Sequence, residues 1–88
     1  MLFIALMKTV TLTAEAIKAL KRHTNMAARI IKAMNEYATG EGAHANRVTA
    51  LKGSSALRLR VGDYRVIFEE TDTNITVTDL GPRGDIYD

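Results

Sequence analysis

Three arginines flank a glycine–aspartate pair in the second half of the chain, and their spacing is suited to binding an anion. Arg58 and Arg60 precede the pair, and Arg65 follows it. A guanidinium group stays charged at every relevant pH and forms paired hydrogen bonds with phosphate oxygens. The structural alternative is a solvated or salt-bridged surface, on which long arginine stems simply cover a sheet. Three converging arginines favour the anion site.

Two strands joined by a tight turn must position these arginines. Apolar and charged residues alternate on both sides of the glycine–aspartate pair, which is typical of a two-residue hairpin turn. This register predicts Arg60 opposite Arg65 and Arg58 opposite Ile67. Because side chains alternate between the faces of a strand, the three arginines share one face. The opposite, apolar face is predicted to consist of Leu57, Leu59, Val61, Tyr64, Val66 and Phe68.

The first half of the chain predicts one strand and two helices. Residues 7–12 alternate and are β-branched, as in a strand. Thr13 is placed to cap a first helix, and Thr24 or Asn25 to cap a second helix that ends near Gly40. The apolar residues expected to pack on the sheet are Ala16, Ile17 and Leu20 from the first helix, with Ala27, Ile30, Ile31, Met34, Tyr37 and Ala38 from the second.

The second half predicts three strands after a polar loop over residues 41–53. The arginine hairpin is followed by a turn at 71–74 and by a β-branched strand at 75–80, which Gly81-Pro82 ends. The element order is β-α-α-β-β-β. We therefore expect an α+β fold, in which a two-helix hairpin packs on one face of a small antiparallel sheet. No repeat or linker interrupts the sequence, so a single domain over residues 1–88 is expected.

Composition excludes several kinds of site and contains a charge asymmetry. The chain has no cysteine and two separated histidines, so we expect no disulfide, no thiolate nucleophile, no metal site and no cofactor. Residues 1–65 hold 11 of the 12 Lys and Arg but only 4 of the 10 acids. Such a basic segment indicates a polyanionic partner. The apolar segment over residues 1–7 is too short to cross a membrane and lacks signal-peptide features, so we expect a cytoplasmic protein. Met7 is an alternative start residue.

Three segments around the arginines match a known signature in residue type and spacing. They are Leu51-Lys52-Gly53, residues 57–68 (LRLRVGDYRVIF), and residues 80–83 (LGPR) followed by Ile86-Tyr87. They resemble the RelE/ParE superfamily of bacterial toxins from type II toxin–antitoxin systems, in its RelE-like branch. The resemblance implies the RelE-like microbial RNase fold and a metal-independent endoribonuclease that cuts mRNA and inhibits translation. In that reaction the 2′-hydroxyl attacks the scissile phosphate and leaves a 2′,3′-cyclic phosphate and a 5′-hydroxyl.

The same resemblance implies roles for individual residues. Arg65 matches the arginine that stabilises the charge of the transition state, and Arg83 matches the one proposed to protonate the leaving oxygen. Tyr87 matches the tyrosine that stacks on the substrate base and orients the 2′-hydroxyl. Lys52 matches a loop residue that contacts backbone phosphate, and the hairpin register adds Arg60 to the residues expected to bind RNA.

Arg58 falls where the ribosome-dependent nuclease has its general-base lysine, and this is a departure from the pattern. The pKa of an arginine lies above about 12, so Arg58 is a poor general base near neutral pH. It can still stabilise the pentavalent phosphorus electrostatically. His44, in the polar loop, and His23, near the end of the first helix, are weaker alternatives for the base. The identity of the proton acceptor therefore stays open.

Other functions share this fold. One alternative is a ParE-like toxin that inhibits DNA gyrase without cutting RNA, and another is a degenerate toxin that acts only as an antitoxin-binding corepressor. In each case the resemblance implies a cognate antitoxin, whose acidic or amphipathic segment would cover the basic surface in a toxin–antitoxin hetero-oligomer. The other expected partners are mRNA and the ribosome, with operator DNA bound only through the antitoxin and no membrane.

Overall fold

Five strands and two helices make up the part of the chain that the computed structural model describes, residues 8–40 and 47–84. The first strand is followed by two consecutive helices and then by four strands. In chain order the elements are β1 (Thr9–Leu12), α1 (Ala14–Arg22), α2 (Thr24–Ala38), β2 (Val48–Ala50), β3 (Leu57–Val61), β4 (Tyr64–Glu70) and β5 (Asn74–Pro82). The predicted α+β class, with a helical layer on a small sheet, is confirmed. No helix in this part of the chain is long and apolar enough to span a membrane.

The sheet has the strand order β1-β5-β4-β3-β2 and differs from the prediction in three details. β2, β3, β4 and β5 form antiparallel pairs, but β1 pairs in parallel with β5, with Val10 opposite Ile75. The sheet is therefore mixed. It also contains β2, which lies within the predicted polar loop. Gly81 and Pro82 belong to β5, opposite Arg65 and Tyr64, so the strand does not end before them.

The two helices begin and end through different local interactions. Thr13 caps α1 as predicted, because its side chain accepts a hydrogen bond from the Ala16 N–H at 3.2 Å. α2 starts directly after His23, which makes no side-chain capping bond, so the predicted cap at Thr24 or Asn25 is wrong. Gly40 has φ +80°, a conformation that favours glycine directly after a helix.

The core lies between the helices and one face of the sheet. The prediction was wrong for Ile17 and Ile31, which are 44% and 46% exposed. The buried stripe of each helix is rotated by about one position, so that small and flexible residues face the sheet instead. The helices contribute Ala16, Ala19, Met26, Ile30, Ala33, Met34 and Ala38, and the sheet contributes Leu59, Val61, Val66, Phe68, Ile75, Val77 and Leu80.

A charged network ties β1, β4 and α2 together at one end of the sheet. Lys8 Nζ and the Tyr37 hydroxyl each donate a 2.6 Å hydrogen bond to the carboxylate of Glu70. Burial, together with the neighbouring Glu70 carboxylate, raises the pKa of Tyr37 to about 12. Burial also acts to raise the pKa of Glu70, but the hydrogen bonds from Lys8 and Tyr37 outweigh it and lower the pKa. The Tyr37 ring packs edge-on against Phe68, with 5.3 Å between the ring centroids.

Candidate anion-binding site

The hairpin of β3 and β4 places the arginines as the sequence predicts. Arg60 lies opposite Arg65, and Arg58 lies opposite Ile67. The turn depends on Gly62, whose φ of +59° is a conformation that side chains disfavour. The alternate residues of both strands are buried against the helices, so the arginines emerge on the outer face of the sheet.

Four arginines and a threonine line an open cavity of about 110 Å³ on this outer face. One water molecule needs about 10–15 Å³ of cavity volume. The cavity therefore has room for a phosphate-sized anion with part of its hydration shell. Within the part of the chain that the structure describes, every lining residue is polar or charged and none is acidic. The lining residues are Arg47, Thr49, Arg58, Arg60 and Arg65. These five residues are called the arginine cavity below.

Arg47 and Thr49 are the two cavity residues that sequence reasoning missed. Thr49 belongs to β2, which has only three residues, and Arg47 directly precedes that strand. Thr49 lies opposite Arg58, and continuing that antiparallel register puts Arg47 beside Arg60. The available signal was the alternating, β-branched Val48-Thr49 pair after Arg47, which was too short to stand out from the surrounding polar residues.

The arginine cavity concentrates like charge. Arg60 and Arg65 lie opposite each other on β3 and β4, which are spaced about 4.8 Å apart, and Arg47 directly precedes β2, the next strand. Arg60 is exposed and forms no hydrogen bond or ion pair within the described part of the chain. Arg65 is half-buried, and its Nη1 donates to the Tyr64 carbonyl at 3.4 Å. Like charges directly across a ladder destabilise a sheet, so this arrangement is best explained by an anionic ligand.

Comparison with solved structures identifies the fold. No protein-family model and no curated protein matches the sequence. A chain of the Escherichia coli DinJ–YafQ toxin–antitoxin complex matches with a TM-score of 0.76 and 13% identity, over 94% of this chain and 100% of that one. YafQ from E. coli strain BL21(DE3) matches with a TM-score of 0.66 and 15% identity, over 92% and 99% of the two chains. The archaeal RelE–RelB complex from Pyrococcus horikoshii matches with a TM-score of 0.62 and 24% identity, over 92% and 100%.

This chain has the RelE-like toxin fold. The resemblance predicted from the sequence is thus confirmed at the level of the fold. At 13–24% identity, what the proteins share is the backbone fold.

Arg83 and Lys52 occupy different positions relative to the arginine cavity of this RelE-like fold. Arg83 follows β5 at the turn end of the hairpin, where its backbone N–H donates to the Asp63 carbonyl at 2.7 Å. Its side chain is exposed and is not part of the cavity lining. Lys52 is exposed in the connection between β2 and β3, at the end of these strands away from Gly62. Tyr87 and His44 lie outside the described residues.

The arginine cavity can stabilise negative charge, but its five described lining residues include no proton acceptor that works near neutral pH. Arginine keeps its proton at that pH, and a threonine hydroxyl is not a base. Asp79 lies opposite Ile67, outside the cavity lining, and its Oδ1 accepts a hydrogen bond from the Leu80 N–H. His23 lies on the helix side of the sheet, where its Nδ1 is 3.1 Å from the Tyr64 hydroxyl oxygen. Within residues 8–40 and 47–84, no group of three or more His, Asp or Glu side chains is arranged to hold a metal ion.

Proposed function

We propose that this chain is the RNA-cleaving toxin of a toxin–antitoxin pair, and that the arginine cavity binds the scissile phosphate. The observation that carries the proposal is the cavity itself, in which four arginines converge on the open face of a RelE-like fold. The guanidinium fork binds phosphate through paired hydrogen bonds, and an RNA chain presents phosphates repeatedly. The basic segment over residues 1–65 is consistent with such a polyanion.

The proposed reaction is an intramolecular attack on phosphorus. The 2′-oxygen forms a bond to the scissile phosphorus while the bond to the 5′-oxygen breaks, giving a 2′,3′-cyclic phosphate and a 5′-hydroxyl. Arg58 and Arg65 stabilise the negative charge that builds up on the phosphoryl oxygens. Arg83 supplies the proton to the departing 5′-oxygen, and Tyr87 stacks on the adjacent base. Because an arginine is a poor general base, the proton of the 2′-hydroxyl goes to a group other than the four cavity arginines.

RNA binding and antitoxin binding follow from the same surface. Arg60 and Lys52 contact backbone phosphates, so that the mRNA is bound without reading its bases. The similar solved structures include a DinJ–YafQ toxin–antitoxin complex and a RelE–RelB complex, which supports a cognate antitoxin for this chain. An acidic segment of that antitoxin would cover the arginine cavity and exclude RNA. We place the protein in the cytoplasm, where it acts on mRNA at the ribosome without a metal ion.

Induced expression of the chain, with and without the neighbouring gene, tests this function. Expression alone should arrest growth and produce new mRNA ends that carry a 5′-hydroxyl. Removing one pre-positioned charge-stabilising donor costs about 10²–10³ in rate. The double variant Arg65→Ala/Arg83→Ala should therefore abolish both effects, while the surface variant Lys18→Gln keeps them.

Two outcomes contradict the nuclease function. If growth arrest persists in the double variant, and circular dichroism shows that the variant is folded, the arrest does not depend on the arginines. If the purified protein inhibits supercoiling by DNA gyrase and leaves RNA intact, the ParE-like alternative is correct.

A further inference from the structure

A second basic cavity lies next to the arginine cavity, on the side of helix α2. It has a volume of about 240 Å³ and opens between α2 and the hairpin turn. Arg47 lines both cavities and is therefore shared between them. The lining residues are Arg29, Lys32, Ala33, Glu36, Arg47, Val61 and Gly62. The proposed reaction uses none of the charged groups on α2.

Arg29 is held close to the turn that shapes the arginine cavity. A Cβ atom added to Gly62 would lie 3.3 Å from Arg29 Nη2, so the guanidinium rests over the glycine itself. Arg29 Nη1 also lies 3.8 Å from the sulfur of Met26, one turn earlier on α2. The absence of a side chain at Gly62 thus allows a cation from α2 to approach the end of the hairpin.

The charges of the two cavities form one continuous surface. Among the described residues, the two linings together contain six cations and one acid, Glu36. Arg47 precedes the edge strand β2, so the surface passes around that edge from the outer face of the sheet to α2. A surface of this kind fits a flexible chain of regularly spaced anions better than an isolated phosphate.

We propose that the RNA strand bound in the arginine cavity continues around the β2 edge onto α2. Arg47 contacts the backbone where the strand passes the edge, and Arg29 and Lys32 bind phosphates of nucleotides that flank the cut site. This inference rests on the proposed function. The α2 surface adds affinity that is independent of base sequence, since lysine and arginine at exposed positions recognise the backbone charge.

Oligonucleotides of two lengths test the path. The 2′-O-methyl group removes the attacking hydroxyl, so 2′-O-methyl RNA of three and of nine nucleotides measures binding without cleavage. Fluorescence anisotropy should show that Arg29→Gln/Lys32→Gln weakens binding of the nine-nucleotide RNA about tenfold or more. It should also reduce the slope of log affinity against log salt by about 1.4, because each phosphate contact on a single strand contributes about 0.7. Binding of the three-nucleotide RNA should change little.

A matched control removes two charges elsewhere on the helical layer. Lys18 and Lys21 are exposed on α1 and line neither cavity. The variant Lys18→Gln/Lys21→Gln should therefore bind both oligonucleotides as the wild type does. Arg47→Gln should weaken both, because Arg47 belongs to both cavities. Lys32→Gln alone, an exposed substitution that leaves the Arg29 contact with the turn intact, should give about half of the change in salt slope.

Three results would overturn the path. The first is an α2 variant that binds the nine-nucleotide RNA as tightly as the wild type, while Arg60→Gln still weakens it; the proposed function would then stand without the path. The second is an equal loss for both lengths, which indicates a general charge effect. The third is an α2 variant that loses antitoxin affinity but no RNA affinity, which makes this surface a protein-binding one. If the wild type binds neither RNA, the proposed function fails together with the path.

Discussion

Replacing Arg60 with glutamine should stabilise the protein and weaken anion binding at the same time. Arg60 is exposed, lies directly opposite Arg65 and is flanked by Arg47 on the other side. Within the described residues it forms no hydrogen bond or ion pair that the substitution would break. In the absence of a ligand, its charge repels the charges of Arg47 and Arg65. Glutamine keeps most of the side-chain stem over the sheet.

The size of the stabilisation follows from the hairpin register. Opposed Cβ atoms on neighbouring strands lie about 5 Å apart, and two unit charges about 6 Å apart repel by about 0.7 kcal/mol in water. With repulsion from Arg47 and Arg65 together, Arg60→Gln should raise the free energy of unfolding by about 1 kcal/mol at low salt. For a domain of this size, that raises Tm by about 4–8 °C. Salt should reduce the gain, because exposed charges are screened.

Thermal unfolding with and without inorganic phosphate measures both effects. Phosphate that binds the folded state raises Tm by mass action. The wild type should gain more from phosphate than Arg60→Gln does, since the variant lacks one charge-assisted hydrogen bond worth about 1.5–3 kcal/mol. Lys18→Gln, an exposed change on α1, should behave as the wild type. If Arg60→Gln is destabilised at low salt, or if phosphate stabilises it as strongly as the wild type, the arginine cavity is not an anion site under electrostatic strain.

Three further predictions concern the framework that holds the site. Tyr37→Phe should lower the free energy of unfolding by about 1 kcal/mol in urea titrations, because it removes the hydrogen bond to Glu70 and keeps the ring on Phe68. An unchanged urea midpoint would contradict a stabilising role for the hydrogen bond between Tyr37 and Glu70. The wild type should lose stability as the pH rises from 10 towards 12, because the folded state holds the Tyr37 proton more tightly than the unfolded chain does. It should also lose stability as the pH falls below about 4.5, because the pKa of Glu70 is lowered in the folded state. The alkaline loss should be smaller in Tyr37→Phe, and equal alkaline losses in the two proteins would count against this assignment. Gly62→Ala should cost about 1 kcal/mol, measured by thermal unfolding, because φ is +59° and the new methyl group would meet Arg29; a neutral result would show that the turn relaxes without strain.

The hairpin was predictable because its signals are local and agree with one another. Alternation on both sides of the turn, a glycine within it and three arginines confined to one face together favour a single register. A slip by one residue would bury the charged side chains of Arg58 and Arg60 against the helices. The free-energy cost of removing these charges from water would strongly disfavour that register. The placement of Arg65 opposite Arg60 therefore follows from sequence alone.

The parts that sequence reasoning missed depend on contacts distant in the chain. β2 has three residues, and it becomes a strand only because β3 provides a paired edge. The parallel pairing of β1 with β5 joins residues more than 60 positions apart, which no local pattern reveals. For the same reason the sequence pattern places Arg47 in a loop, although it lines both cavities. The rotation of the helix stripes away from Ile17 and Ile31 is likewise set by packing on the sheet and not by the periodicity of each helix.

The outer face of the sheet changes its charge near a β-bulge in β5. Ile67 lies opposite Asp79, but Phe68 lies opposite Val77, so Thr78 is an extra residue in β5. Thr78 is hydrogen-bonded on both sides, because its hydroxyl donates to the Ile67 carbonyl and its own carbonyl accepts from the Thr13 hydroxyl. The cap of α1 thereby holds the bulge in place. Beyond the bulge the outer face carries Glu69 opposite Thr76 in place of arginines. An RNA strand in the arginine cavity would meet a carboxylate if it ran along the sheet in that direction, whereas the β2 edge offers Arg47 and then α2.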